Sequence, residues 1–303
     1  MSELMLSVAV ITYNQAKFIS QTLDSILSQQ HSYSYEIIVG DDCSTDNTRA
    51  VISEYVKKYP EIIKPLYNEK NFGLIENYFN VIKHCSGKYI MECAGDDWWL
   101  PGKVAKQIEL MEKNNDIAMC YGKAYVWSEA QNKILPHVIG DGDNTFNSLI
   151  ISNYITALTV CFTKEAILEY IKDVNPVKQN WLMEDFPFWL WISKNKKMHQ
   201  LKDVLGCYRV TNTSISHVTN VEKKIKFLES VKAIKEYYCE DKELLKIFNN
   251  SFYEDSAFEY LKNGDLRNYR KFVRKSNSYK AIIKFICSFL PFYTSIILKK
   301  NKQ

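Results

Sequence analysis

An α/β fold built on a parallel sheet, followed by a helical region, is what this 303-residue chain predicts. Three observations carry the prediction. Short apolar runs rich in β-branched residues alternate with segments whose apolar residues recur at helical spacing. The order strand, helix, strand, helix implies parallel strands joined by right-handed crossovers. Polar and acidic residues close the runs, and open parallel sheets bind their ligands beyond those carboxyl ends.

The first run, Leu6 to Ile11 (LSVAVI), suits a strand buried on both faces, and Thr12, Tyr13 and Asn14 break it. From Lys17 to Gln30 the residues Phe18, Ile19, Leu23, Ile26 and Leu27 recur at helical spacing, so an amphipathic helix packs back on the sheet. Glu36 to Gly40 (EIIVG) is the next strand, ending in DDCSTD. Asp46 is placed there to cap a helix carrying Val51, Ile52, Tyr55 and Val56. A third apolar run, Tyr89, Ile90 and Met91, leads into Ala94 to Trp99 (AGDDWW), ahead of a helix expected to start at Pro101. Asn14, Asp42 and Asp96 all fall at strand ends. Adjacent carboxylates such as Asp96 and Asp97 are most often a solvated turn. Held at the end of a buried strand they make a site for Mg²⁺ or Mn²⁺, which keeps several waters and shares its remaining positions between one or two Asp and phosphate oxygens.

Several segments carry a family resemblance: Val8 to Asn14 (VAVITYN), Val39 to Asp46 (VGDDCSTD), Asn71 to Gly73, Lys88 to Ile90, Gly95 to Asp97, Met183 to Phe186 (MEDF) and Gly206 to Val210 (GCYRV). In order and spacing they resemble family 2 glycosyltransferases over residues 5 to 216. The resemblance implies an inverting enzyme with a GT-A fold, the Rossmann-like architecture of nucleotide-diphospho-sugar transferases. It implies that Thr12, Tyr13, Asn14 and Asp42 border the nucleotide, with Asp42 on the base. Asp96 and Asp97 would serve the ribose and the metal on the diphosphate, and which of the two holds the cation stays open. The commoner family pattern has a further Asp two residues ahead of the metal ligand, where this chain has Ala94.

An inverting transfer is one in-line displacement at the anomeric carbon. A general base takes the proton of the attacking hydroxyl on the face opposite the leaving diphosphate, and a metal stabilises the charge that develops there. Asp185 stands where the family places its base, just before a helix-like run from Phe186 to Ser193. Its other reading is a helix cap beside Pro187; Glu184 is the nearest competitor as base, and Asp141 and Asp143 are distant ones. The resemblance puts the segment around Arg209 near the diphosphate, which a guanidinium suits; a sheet-edge Arg is the equal alternative. His217 just beyond reads as structural. Trp98 and Trp99 divide two roles, one stacking under a sugar or acceptor ring and one filling the core. Of Trp181, Trp189 and Trp191, which flank the expected base, at least one is core, because Trp189 and Trp191 point to different helix faces. The Gln-x-x-Arg-Trp motif of processive synthases is absent, so a single sugar is added.

With 46% hydrophobic and 24% charged residues the chain can bury one good core and an appendage. Its eight cysteines show no metal-finger spacing and read as reduced thiols of a cytoplasmic protein. The net charge of +4 hides an asymmetry: from Leu261 to Gln303 there are 11 Lys and Arg against one acid, and before that 28 against 34. Residues 1–217 are expected to form the catalytic domain and 218–303 a helical region with a basic, apolar tail. The longest charge-free stretch of that tail, Phe285 to Leu298, is 14 residues, short of the ~20 that span a bilayer. It reads as an interfacial anchor on the inner face of the membrane, with packing on the protein or a dimer contact as the competing reading. No nucleic-acid module accompanies the basic residues.

A nucleotide-binding oxidoreductase or a sugar nucleotidyltransferase would need a glycine-rich first turn, and Thr12 to Gln15 has no glycine. The resemblance therefore points to transfer of one sugar, UDP-linked by default, to a glycan acceptor on a lipid carrier, as in bacterial capsule, O-antigen or exopolysaccharide synthesis. A catalytically silent binding subunit of a polysaccharide assembly complex is the alternative.

Overall fold

The computed structural model describes residues 4–211 and 220–276. The chain divides into two compact units, residues 1–211 and 212–303. In the first unit β1 (Leu6–Thr12), β2 (Tyr35–Asp41), β3 (Ile63–Tyr67) and β4 (Tyr89–Ala94) lie parallel in the order β3-β2-β1-β4. β1 is hydrogen-bonded on both edges and covered on both faces, which is why its sequence is a nearly unbroken apolar run. Pairing of Thr12 with Asp41 and of Ile11 with Ala94 brings the ends of β1, β2 and β4 level, so the polar residues that follow them share one edge.

Beyond β4 the sheet becomes mixed. β5 (Trp98–Trp99), β6 (Ile117–Ser128), β7 (Lys133–Ile139), β8 (Cys161–Thr163) and β9 (Lys197–Val210) complete the order β3-β2-β1-β4-β8-β6-β9-β5, with β7 added on β6. β8 is antiparallel to β4 and β6, and β5 is antiparallel to β9. These pairings join residues far apart in sequence and leave no local periodicity, so the purely parallel expectation holds only for the first four strands.

One face of the sheet, with Val8, Val10, Ile37, Val39, Met91 and Cys93, packs on α1 (Ile19–Leu27), α2 (Thr48–Lys58) and α4 (Lys103–Lys113) through Leu23, Ile52 and Ile108. On the other, α3 (Leu74–His84) lies so close to β2 that a Cβ on Gly40 would come within 2.3 Å of Val81. One short helix and two longer ones follow on this unit: α5 (Phe146–Ile151), α6 (Lys164–Val174) and α7 (Asp185–Asn195). Every residue of α7 from Phe186 to Ile192 is buried, as expected of a helix that is apolar all round. Trp181, Trp189 and Trp191 are therefore all core, one step beyond the single core tryptophan the helix faces required.

Two helix starts differ from expectation. α4 begins at Lys103, because Gly102 adopts a left-handed conformation (φ 83°) and Pro101 stays in the turn. α2 begins at Thr48 with Asn47 at the cap position; Asp46 reaches in from one residue earlier, its Oδ1 accepting the Thr48 N–H at 2.9 Å.

The described part of the second unit consists of α8 (Val221–Tyr238), α9 (Lys242–Lys262) and α10 (Leu266–Val273). Asn220, Asp241 and Asp265 each cap the helix that follows. On α8, Ile225 and Ile234 are buried, and α10 packs Tyr269 and Val273 on Ala257 and Leu261 of α9. His217 and the tail from 277 onward, including Phe285 to Leu298, lie outside the described residues. Among the described residues no helix is long and apolar enough to cross a membrane, and seven cysteines are free thiols.

Candidate active site

The level strand ends set up three loops that are stitched together by side chains. After β1, Thr12 is buried and its Oγ1 donates to Gln15 Oε1 at 2.8 Å, while Tyr13 is 46% exposed. Asn14 takes a positive φ of 53°, which its residue type tolerates, and its Oδ1 accepts the Thr45 N–H at 2.7 Å. Asn14 thus braces the β1 loop against the β2 loop. Asp41 is fully buried and takes Arg49 Nε at 2.5 Å.

Asp42 is the hub of the expected base site, and its carboxylate is already engaged. Oδ1 accepts Asn68 Nδ2 at 3.0 Å and the Phe72 N–H at 2.8 Å; Oδ2 accepts the Gly73 N–H at 2.8 Å. A carboxylate offers about four acceptor positions, so one remains for a ligand. Phe72, itself 42% exposed, and the loop from 68 to 73 are clamped in place by this residue.

The two acids after β4 are not equivalent. Asp97 is buried: its Oδ1 accepts the Arg209 N–H at 2.7 Å, and its main-chain oxygen accepts Thr22 Oγ1 at 2.7 Å. Burial, reinforced by the charge of Asp96, pushes its carboxyl well above the usual range. Asp96 is half-buried. Desolvation raises it too, but its own backbone, the Arg209 charge and a hydrogen bond from the Gln15 side chain oppose that rise. Asp97 is therefore a clasp between the β4 loop and β9, and Asp96 is the more exposed of the two acids. Cutting the clasp should be visible in stability: Asp97→Ala leaves a buried N–H unmet, costing about 1–3 kcal/mol, whereas Asp97→Asn keeps an acceptor. Calorimetry should find a lower Tm for the Ala variant only; equal Tm values for Ala and wild type would contradict the clasp.

Arg209 and Trp98 belong to the same clasp. The guanidinium lies between the Phe18 ring at 4.6 Å and the Trp98 ring at 4.7 Å. Its Nε donates to the Asp96 main-chain oxygen at 2.7 Å and its Nη2 to Gln21 Oε1 at 2.5 Å. The expectation of an Arg on the diphosphate and of a free Trp platform meets a different arrangement: each occupies the other. Trp99 fills the core, with the buried Lys103 over its ring at 4.4 Å.

At the start of α7, Glu184 holds the cap position and Asp185 is the first helical residue, its Oδ1 receiving the Phe186 N–H at 2.6 Å. Desolvation pushes Asp185 up to about 6, against the pull of the Phe186 N–H and Asn153. Glu184 is driven much higher, by burial and then by the Asp185 charge. Glu92 of β4, buried and hydrogen-bonded by Tyr78 Oη, is pushed up to about 8 by burial, with the Asp185 charge adding to the rise. Of these three acids Asp185 is raised to a lower value than Glu92, and a general base works best with a pKa near the operating pH. The distant competitors are surface groups: Asp141 pairs with Lys123 at 2.8 Å, and Asp143 takes the Thr145 N–H at 2.9 Å.

Gln15, Glu92 and Lys103 were not singled out from the sequence. Glu92 alone left a trace, as the one acid inside the apolar run YIMECA. No three metal-ligating side chains converge among the described residues. A lone available carboxylate beside strand-end loops suits a hard cation that takes most of its shell from phosphate oxygens and water.

The model for glycosyl transferase family 2 matches residues 7–186. The chain belongs to that family. As a family 2 member it is 30% identical over 229 residues, 75% of its length and 84% of the relative's, to UDP-Glc:alpha-D-GlcNAc-diphosphoundecaprenol beta-1,3-glucosyltransferase WfgD of Escherichia coli. It is 27% identical over 70% of its length, and 81% of the relative's, to the putative teichuronic acid biosynthesis glycosyltransferase TuaG of Bacillus subtilis. The chain spans about half the length (47%) of uncharacterized mycobacterial relatives that it matches at 29% identity, such as Rv1520 of Mycobacterium tuberculosis. Among solved structures, S. aureus TarS 1-349 in complex with UDP-GlcNAc superposes with a TM-score of 0.63 at 16% identity, covering 98% of this chain and 89% of that one. The mannosyltransferase PcManGT from Pyrobaculum calidifontis, in complex with GDP-Man and Mn²⁺, gives 0.59 at 12% identity, covering 98% and 84%. These likenesses show the GT-A fold.

Proposed function

We propose that this family 2 chain moves one sugar, with inversion, from a nucleotide-diphospho-sugar to a glycan acceptor, with Asp185 as general base. The observation that carries this reading is the placement of the acids: Asp185 opens α7 with its Oδ1 accepting the Phe186 N–H at 2.6 Å, and Asp96 stands half-buried at the strand ends. Tyr13, Asp42 and Phe72 would receive the nucleotide, Asp42 through its remaining acceptor position. A Mn²⁺ or Mg²⁺ ion held by Asp96 would, when bound, neutralise the diphosphate. Asp185 then accepts the proton of the acceptor hydroxyl, Glu184 lies beside it on the acceptor side, and the Arg209–Trp98 stack keeps the loop of Asp96 rigid. The donor in the WfgD name is UDP-Glc and its acceptor is a diphosphoundecaprenol-linked sugar; both favour a UDP-sugar and a lipid-linked acceptor here.

A panel of nucleotide sugars with Mn²⁺ tests the binding half of this reading, since a ligand at 100 times its Kd adds about 2.7 kcal/mol to stability. A UDP-sugar should raise Tm only with the metal. No shift with any member would contradict it, and binding without slow donor hydrolysis would favour the silent-subunit alternative.

For location we propose the cytoplasmic face of a membrane, as a peripheral protein. Arg267 and Lys271 of α10 are exposed on the side opposite the buried Tyr269 and Val273, and Arg274 and Lys275 in the turn that follows are exposed too. Anionic lipids attract such residues by roughly 1 kcal/mol each near the surface, and the apolar tail beyond 277 would add burial. Deleting 281–303 should abolish sedimentation with anionic liposomes and spare transfer to a short soluble acceptor. A full-length protein that ignores liposomes at low salt would place the tail in packing or dimerisation instead.

A further inference from the structure

We propose that Gly73 and Asn68 are specificity-determining residues: they leave Asp42 a single acceptor position, which selects a nucleotide whose base presents one N–H, a uracil, over a guanine that presents an adjacent pair. This rests on the reading of Asp42 as the group that meets the base. Both oxygens of the carboxylate are taken by one loop, Oδ1 by the Phe72 N–H and Oδ2 by the Gly73 N–H, each at 2.8 Å. Two neighbouring donors, one to each oxygen, is also the pattern in which guanine would offer its N1–H and its 2-amino group, so the loop already fills that two-pronged edge. Asn68 Nδ2 takes a third position, on Oδ1 at 3.0 Å, and only the second lone pair of Oδ2 is left.

Each of these donors is held in place. Gly73 has φ 88° and ψ 167°, a region open almost only to glycine, and this lets two successive N–H groups converge on one carboxylate before α3 begins. Asn68 cannot turn its amide over, because its Nδ2 also donates to Asn77 Oδ1 at 3.0 Å, and Asn77 Nδ2 is spent on the Gly40 main-chain oxygen at 3.0 Å. Its main chain is fixed as well, the N–H by the Asp41 oxygen at 3.0 Å and the oxygen by Arg49 Nη2. Asp42 is 4% exposed, so a base that reaches it gives up water there. Uracil, with a carbonyl on each side of N3–H, spends its one donor on Oδ2. Guanine in the same place pairs N1–H and strands its 2-amino group, and an unmet buried donor lowers affinity by roughly 5- to 150-fold. Hypoxanthine separates this effect from size, since it is a purine with the same N1–H and no 2-amino group.

The test is isothermal titration calorimetry of the full-length protein with Mn²⁺, using UDP, N3-methyl-UDP, and IDP and GDP by displacement of UDP. UDP should bind tightest, methylation of N3 should weaken it about 10-fold or more, and GDP should bind about 10-fold or more weaker than IDP. Gly73→Ala, where a Cβ meets nothing within 4 Å and strains the backbone alone, should loosen the pair of amides and narrow the gap between IDP and GDP. Asn68→Ala should narrow it by freeing a position on Oδ1, and Tm identifies which variants fold. N3-methyl-UDP binding as well as UDP overturns the reading of Asp42 beneath the proposal. Where methylation abolishes binding but GDP matches IDP, or neither purine displaces UDP, Asp42 keeps the base and the single acceptor position is overturned. A gap of wild-type width in every variant that folds takes the selection away from Gly73 and Asn68; if neither folds, the wild-type series decides.

Discussion

Asp185→Asn is expected to bind a UDP-sugar as wild type does and to turn it over about 10² to 10⁴ times more slowly. The substitution removes the proton acceptor and keeps the shape, including an oxygen for the Phe186 N–H. Because burial pushes the Asp185 carboxyl up to about 6, the wild-type rate should rise with pH and level off above that value, as the base ionises. The variant should lack this limb. Stability has the opposite sign: a carboxyl raised from 3.8 to about 6 in the folded state costs the fold stability as pH climbs through that window. Asn removes the cost, so Tm at neutral pH should not fall. Kinetics across pH with calorimetry check all three points. Loss of donor binding in Asp185→Asn, or a normal rate there with a slow Glu184→Gln, would move the base elsewhere.

Asp96→Asn should be nearly as damaging by a different route. Without the available carboxylate the cation loses its anchor, and the diphosphate meets Asp42 and Asp96's neighbours unshielded. Charge stabilisation worth several kcal/mol corresponds to about 10³-fold in kcat/KM. EDTA should reproduce that loss in wild type and add little to the variant. Asp97→Asn should be mild by comparison, since an amide oxygen can still accept the Arg209 N–H. Full turnover in EDTA would remove the metal from the reaction.

The parts of this molecule that the sequence made legible are those written in local periodicity. β1, β2 and β4, α1 and the apolar α7 follow from runs of residues whose neighbours in space are their neighbours in sequence. The family 2 resemblance, carried by the strand-end loops, extended that to the fold. What stayed hidden depends on distant partners. Nothing near Asp97 announces that its carboxylate is held by the backbone of Arg209, 112 residues on, or that Trp98 pairs with Cys207 as a short strand. Nor does anything near Arg209 announce that its guanidinium lies by the Phe18 and Trp98 rings and donates to Gln21. The separation of Asp185 from Glu184 and Glu92 likewise arises from burial, which no spacing of residues encodes. Glu92 marks the lesson most clearly: a lone acid in an apolar strand was the visible sign of a group that burial pushes up to about 8.

The transfer itself is tested most directly by following the anomeric proton of the product by NMR, with an α-linked UDP-sugar that the binding panel selects, a short acceptor and Mn²⁺. The arrangement of Asp185 and Asp96 predicts a β-linked product from the first turnover, formed by wild type and not by Asp185→Asn. An α-linked product, or a β-linked one formed at the wild-type rate by Asp185→Asn, would contradict it.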